Sequence, residues 1–416
     1  MFNLQRLKEQ FKNCECGVEH KLDIRDIQVG SGITAKTGQI LRSNGFPTNL
    51  LLVADKNTLK ASDGILDSLD GFNIITHIYE DLREATVEQV EVIKGLLSGL
   101  DGVISVGTGS LNDICRMASA QTDKPLCIFA TAPSMDGFAS YNAPLTKGNF
   151  KITYPAKSPE VIIADTKILA SAPAYLKSAG FGDMVGKYVG LIDWQVSALI
   201  SGEHYCERVA SLTRRATDMI MALADRITAT DEDSAGAVLE ALLLTGIGMS
   251  FVKTSRPASG TEHILSHFWE CKKLLEGKLS DFHGKKVGVA TLLIMKEYNE
   301  IAKRQTIKAK KEQNDWQDIL DNYGELKDEV IALNTPDTIT DSINPKDLED
   351  KWQEIVKIVN SVPSYEQIYN AMVKAGCATT CEEIAVSEQL KVQGLKYHPY
   401  MRRRLSLRRL MNMIKD

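Results

Sequence analysis

The strongest constraint on this chain is a change of rhythm near residue 170. Before it, near-continuous apolar runs of strand length (49-NLLLVAD-55, 72-FNIITHIY-79, 102-GVISVG-107, 125-PLCIFAT-131 and 159-PEVIIAD-165) alternate with helical stretches such as 56-KNTLKASDGILDSL-69 and 87-VEQVEVIKGLLSGL-100. Strands that are apolar along their whole length belong to a parallel sheet covered by helices on both faces. Beyond residue 170 only helical periodicity persists, over 174–200, 205–227, 233–253, 262–276, 286–304 and 350–359. The expectation is a Rossmann-like α/β domain over 1–170 followed by an all-α domain over 171–416, with a ligand cleft between them. The charged segment 305–352 reads as surface helices and loops of the second domain.

The bulk numbers exclude more than they establish. A chain of 416 residues exceeds the size at which one core stops growing, so two domains are expected. Its 44% hydrophobic and 25% charged residues are those of a soluble globular protein, and a net charge of −5 gives no footprint for nucleic acid. The basic segment 401-MRRRLSLRRL-410 reads as a solvated C-terminal helix or a dimer contact. No apolar leader opens the chain. The longest apolar run, 235-AGAVLEALLLTGIGMSFV-252, carries Glu240 and reads as a buried core helix, with no membrane insertion. Eight scattered cysteines suit a cytoplasmic protein with reduced thiols. In 14-CECGVEH-20, Cys14, Cys16 and His20 are metal donors without a fourth partner. Cys377 and Cys381 sit one helical turn apart. Both groups read as structural.

Two turns in the first half have the chemistry of nucleotide sites. In 102-GVISVGTGSLNDICRMAS-119 a strand passes through Gly107 and Gly109 into a helix opened by Ser110, Leu111 and Asn112. Glycines permit a tight turn and close ligand approach, and a helix N-terminus presents unpaired N–H groups to a pyrophosphate. Asp55 ends its strand, where a carboxylate either accepts from a ribose diol or caps the next helix. The turn 131-TAPSMDGFAS-140 holds hydroxyls, backbone donors and one carboxylate, Asp136, at the carboxyl edge of the sheet.

Three of the seven histidines, His263, His267 and His283, fall close together. On a helix, His263 and His267 share a face, and His283 follows after a break. Asp183, after a Gly-x-Gly break and at a helix start, offers a carboxylate, with Lys187 one turn further on. Two imidazoles and a carboxylate with an open position make a Lewis-acid site, though an i, i+4 histidine pair alone is often incidental. Glu262 precedes His263, so the protease pattern H-E-x-x-H does not apply.

The segments 106-VGTGSLNDICR-116, 131-TAPSMDGFAS-140, 179-AGFGDMVGKY-188, 260-GTEHILSHFWE-270 and 283-HGKKVGVAT-291 together resemble the glycerol-1-phosphate dehydrogenases, in particular the longer bacterial AraM-like branch. That family lies within the iron-type alcohol dehydrogenase and dehydroquinate synthase-like superfamily. The resemblance covers nearly the whole chain. It implies NAD(H)- or NADP(H)-linked interconversion of dihydroxyacetone phosphate and sn-glycerol 1-phosphate for phospholipid-type synthesis, with one divalent metal per subunit, nickel or zinc, or iron. A lyase or cyclase of the dehydroquinate synthase type is the alternative. The resemblance further implies that Asp183, His263 and His283 hold the metal. It assigns Asp55, Gly109, Ser110, Leu111, Asn112, Asp113, Thr131, Ala132, Pro133, Ser134 and Ser140 to the nucleotide. Asp136, Asp183 and His267 meet the substrate, with His267 and Asp183 catalytic. An acidic Asp55 at the ribose favours NADH. Lys187 is the expected phosphate contact, His267 a proton donor titrating near neutrality, and a homodimer or larger homo-oligomer the expected assembly.

Overall fold

Six parallel strands form the central sheet of the computed structural model, which describes residues 2–415. In chain order they are β1 (Asp26–Gly30), β2 (Asn49–Asp55), β3 (Asn73–Tyr79), β4 (Gly102–Gly107) and β5 (Leu126–Ala130). Then β6 (Asn142–Lys147) and β7 (Phe150–Pro155) form a separate antiparallel hairpin, and β8 (Val161–Asp165) returns to the sheet. The sheet order is β1-β8-β5-β4-β2-β3. Strand direction of travel reverses between β2 and β4, and in open α/β sheets ligands bind at the carboxyl ends beside such a switch point.

The apolar runs of β2, β4, β5 and β8 are buried on both faces, whereas 72-FNIITHIY-79 forms the half-exposed edge strand β3. Leu50, Leu52, Ile104, Val106, Phe129 and Ile163 point to one face and pack with Phe46 and Ile65. Leu51, Val53, Val103, Ile128 and Ile162 point to the other, where the core runs on into the helices without a gap. Each such side chain contributes roughly 1.5–3 kcal/mol when fully buried. Strand β1 escapes the sequence reading because it is a half-buried edge strand. The hairpin escapes it because Pro144 and Lys151 interrupt its apolar pattern.

Long helices follow the sheet: Ala174–Ser201, Glu207–Ala222, Glu232–Val252, Thr261–Leu275 and His283–Ile301. Helix Glu232–Val252 is long and apolar enough to cross a membrane, but 78% of its apolar window is buried within the protein, as expected of a core helix. Within 305–352 the chain forms short helices (Trp316–Tyr323, Lys327–Asn334 and Pro345–Asp350) held to the core by Ile319, Val330 and Leu348.

Three local expectations are corrected. Asp183 does not begin a helix; it lies in the middle of the 28-residue helix Ala174–Ser201. The glycines before it serve packing: a Cβ at Gly180 would come within 2.0 Å of the Pro133 carbonyl oxygen. Cys377 and Cys381 lie in the loop after helix Tyr365–Lys374, not on a helix. The basic segment 401–410 is no solvated face. Arg402, Arg404 and Arg409 are drawn inside: Arg404 donates to the Ser259 carbonyl and Ser255 hydroxyl, while Arg409 pairs with Glu312 at 2.9 Å. Guanidinium planes satisfied by carbonyls and carboxylates tolerate burial that bare charges do not.

Candidate active site

A cleft of about 880 Å³ opens at the carboxyl ends of β2, β4 and β5, walled on its far side by helices Thr261–Leu275 and His283–Ile301. At its sheet end, β4 turns at Gly107 into helix Gly109–Thr122, whose N-cap Thr108 makes no side-chain capping bond. The amides of that first turn are left for an anion. Gly109 faces open space, since a Cβ there would meet no heavy atom within 4 Å. Of the expected nucleotide residues, Asp55, Gly109, Ser110, Leu111, Asp113, Thr131, Ala132, Ser134 and Ser140 line the cleft. Asn112 and Pro133 do not. Asn112 points inward, accepting from the Ser105 hydroxyl at 2.8 Å, and the Pro133 carbonyl turns onto Gly180.

Of the two readings of Asp55, the structure shows the helix cap. Its Oδ1 accepts from the Thr58 amide at 2.8 Å while Thr58 Oγ1 accepts from the Asp55 amide at 3.0 Å, a capping box for helix Lys56–Ala61. Asp55 also lines the cleft. Arg116, which sequence reasoning missed, ties the nucleotide turn to the next one. Fully buried, it donates to Asp113 at 2.7 Å and to the carbonyls of Gly137, Phe138 and Asn142, bracing the 131–140 turn from behind.

Deeper in the cleft, one ligand atom each from Asp183, His263 and His283 lies within 4.8 Å of the others. His263 Nε2 is 3.4 Å and His283 Nε2 3.9 Å from Asp183 Oδ1. Close helix contact makes this possible: a Cβ at Gly284 would sit 1.9 Å from the Ala179 carbonyl oxygen, so His283 is delivered beside Asp183 only because its neighbour is glycine. Glu262, noted in the sequence only for breaking a protease pattern, accepts from His263 Nδ1 and from the Gly260 amide. That bond fixes the tautomer and leaves Nε2 as the free donor, the arrangement by which carboxylates orient metal-binding imidazoles. Two imidazoles and a buried carboxylate fit a divalent cation of the zinc, nickel or iron type. Burial would raise the Asp183 carboxyl, but Lys187 and His263 hold it well below the usual carboxylate range.

Lys187 is neither at the surface nor free to meet a phosphate. It is fully buried, 2.7 Å from Asp183 and 2.8 Å from Asp136, and neutralises the two carboxylates against each other. Burial and the Asp183 charge push the Asp136 carboxyl up, against the pull of Lys187. Lys60, Arg83, Lys151 and Lys286 do face the cleft, and of these Lys151 on β7 and Lys286 on helix His283–Ile301 share Glu270 at 3.1 and 2.8 Å. Burial opposes ionisation of Glu270, yet Lys151 and Lys286 hold it well below its ordinary value. Arg402 adds a third charge, its Nη2 lying 3.4 Å from His267 Nδ1. Lys151, Lys286 and Arg402 gather around Glu270, so positive charge is concentrated at this end of the cleft.

Burial and the Arg402 charge lower His267 well below its ordinary value, so it does not titrate near neutrality as expected. Arg402 can only donate, which assigns the His267 proton to Nε2. The ring centroid lies 6.4 Å from His263 and 5.9 Å from His283. The two histidines one turn apart on helix Thr261–Leu275 thus face different partners.

Residues 28–173 match the iron-containing alcohol dehydrogenase family. The chain is 29% identical to glycerol-1-phosphate dehydrogenase [NAD(P)+] of Halalkalibacterium halodurans, over 98% of each chain. It is 30% identical to the enzyme of the same name from Geobacillus stearothermophilus, over 94% of this chain and 93% of that one. Among solved structures, sulfoacetaldehyde reductase from Bifidobacterium kashiwanohense in complex with NAD+ superposes with a TM-score of 0.62 at 14% identity, covering 95% of this chain and 96% of that one. That likeness shows a shared fold.

Proposed function

From the premise that this chain belongs to the glycerol-1-phosphate dehydrogenases, we propose that it reduces dihydroxyacetone phosphate to sn-glycerol 1-phosphate, reversibly, with NAD(P)H and one divalent metal. The observation that carries the reading is one cleft that joins a free helix N-terminus, an Asp-His-His cluster and a cationic end in that order. When bound, the metal supplies Lewis-acid polarisation of a carbonyl and the nicotinamide supplies the hydride.

In this reading Asp183, His263 and His283 hold the metal, with Glu262 orienting His263. Gly109, Ser110, Leu111 and Asp113 with Thr131, Ala132, Ser134 and Ser140 receive the dinucleotide, and Asp55 its ribose; Asn112 and Pro133 shape these turns from behind. Lys151 and Lys286 bind the substrate phosphate, a role transferred from Lys187 because they face the cleft. Asp136 accepts from a substrate hydroxyl. His267, neutral and protonated at Nε2, donates a hydrogen bond to the oxygen on which charge develops. The walls of the cleft exclude bulk water from that oxygen, which strengthens each of these contacts.

The test is the purified protein with dihydroxyacetone phosphate and NADH. Stoichiometric loss of nicotinamide absorbance is expected, with a product inert to a glycerol-3-phosphate-specific dehydrogenase. Turnover without net NADH consumption, the mark of a lyase or cyclase, refutes the reading, as does the opposite enantiomer.

A further inference from the structure

Far along the sequence from Cys14, Cys16 and His20, the fold supplies the donor that the sequence alone did not. Cys206, at the N-cap of helix Glu207–Ala222, lies with its Sγ 3.5 Å from Cys14 Sγ and 3.4 Å from His20 Nε2. Cys16 Sγ is 3.2 Å from the same nitrogen. All four donor atoms fall within 4.8 Å of one another, and none of the four residues lines the cleft. We propose that Cys14, Cys16, His20 and Cys206 form a second, structural metal site for a tetrahedral divalent cation of the zinc type, joining the N-terminal arm to the helical domain.

The geometry is that of a closed site. A tetrahedral ion with bonds of about 2.3 Å to sulfur and about 2.0–2.1 Å to nitrogen holds its donors roughly 3.6–3.8 Å apart. The spacings of 3.2, 3.4 and 3.5 Å lie within a few tenths of an ångström of that, and every donor pair lies within 4.8 Å. His20 Nδ1 lies 3.0 Å from the Phe251 carbonyl oxygen, and the carbonyl can only accept. The ring proton is thereby assigned to Nδ1 and the Nε2 lone pair to the ion, with the same kind of outer support that Glu262 gives His263. Gly17, at φ +79°, turns the Cys-x-Cys loop in a conformation that favours glycine. Phe11 stacks on Phe251 at 4.5 Å and meets the His20 ring edge-on, keeping the site apolar on one side. Cys206 is buried and His20 nearly so, so the paired donors are held in place.

On binding, the three thiols release their protons to solvent and the ion takes three thiolates and one imidazole. Four protein donors leave no open position, which marks a structural site and not a catalytic one. The excess negative charge of that set lies beside Arg208, which donates to the Gln10 and Asn13 carbonyls and pairs with Glu15 at 3.6 Å.

Cobalt grown into the full-length protein tests the proposal, because the Asp183, His263 and His283 cluster contains no sulfur. A thiolate-to-cobalt charge-transfer band in the near ultraviolet therefore reports on this site alone. The band is expected in the wild type and in His283→Ala, and absent in Cys206→Ser. Elemental analysis of the zinc-grown protein should show that each variant loses a different one of two equivalents. No charge-transfer band in the wild type overturns the proposal even if Cys206→Ser fails to fold. So does a single equivalent lost entirely with His283→Ala, or a Cys14–Cys206 disulfide found by mass spectrometry in the zinc-grown protein. None of these results depends on the substrate assay, so failure here leaves the dehydrogenase reading standing.

Discussion

Gly284→Ala, a change of one methyl group outside the set of donors, is expected to dismantle the metal cluster. The added Cβ would lie 1.9 Å from the Ala179 carbonyl oxygen, where an ordinary C···O contact is about 3.3 Å. Helix His283–Ile301 must therefore retreat from helix Ala174–Ser201 by roughly 1.4 Å at its first turn, taking the neighbouring His283 with it. Metal–ligand bonds tolerate only about ±0.2 Å, so the imidazole leaves bonding range. A misplacement of ~1 Å costs about 10²-fold in rate, and overpacking costs about 1–3 kcal/mol of stability. Metal content after dialysis against a chelator, circular dichroism and steady-state kinetics with dihydroxyacetone phosphate measure these effects separately. Gly95→Ala is the control: it lies in helix Val87–Leu96, meets nothing within 4 Å, and should leave metal and activity unchanged. If Gly284→Ala keeps its metal through dialysis and turns over within twofold of wild type (about 0.4 kcal/mol), close helix contact does not position His283 and the reasoning is wrong.

Glu262→Gln should weaken metal affinity by about 10–100-fold in competition with a chromogenic chelator, because His263 loses its anionic orienting partner; an unchanged affinity would remove Glu262 from the site. Lys151→Met should raise KM for dihydroxyacetone phosphate by about 10–100-fold, the worth of one charged hydrogen bond, with kcat little altered. Activity on unphosphorylated dihydroxyacetone should not change, and an equal loss on the two substrates would place the phosphate elsewhere. Asp55→Ser keeps a good N-cap for helix Lys56–Ala61 but removes the charge, so the NADPH to NADH ratio of kcat/KM should rise several-fold with little change in melting temperature. A fixed ratio would mean that Asp55 does no more than cap.

What could be read in the sequence was whatever local pattern determines. Apolar runs such as 102-GVISVG-107 announce a doubly covered strand because burial on both faces leaves no polar positions. The glycine turn into helix Gly109–Thr122 is likewise local. The site was legible only as residue types: spacing set His263 and His267 on one face, but nothing local says that the first turns toward Asp183 and the second toward Arg402. Lys187 was misread because a lysine one turn past an aspartate looks exposed until Asp136, from another loop, closes over it. Lys151 lies outside the matching segments and Lys286 inside 283-HGKKVGVAT-291 with no role attached, and their meeting at Glu270 joins a hairpin to two helices. Asp183 in mid-helix reversed a rule of thumb, since glycines that commonly interrupt helices here let two of them touch.

The inward course of the basic segment bears on the order in which the protein becomes competent. Arg402 reaches His267 across a sequence separation of 135 and also donates to the Lys151 carbonyl, joining both walls of this end of the cleft. A ribosome adding ~5–20 residues per second needs roughly 7–27 s to travel that distance. For most of that interval, once His283 has been made, the nascent chain can hold its sheet, its nucleotide turn and all three donors of the Asp-His-His set, yet His267 lacks the Arg402 contact that assigns its proton to Nε2. Competence arrives last, with the arginines, so a polypeptide interrupted during synthesis is released without the groups that complete the cationic end of the cleft.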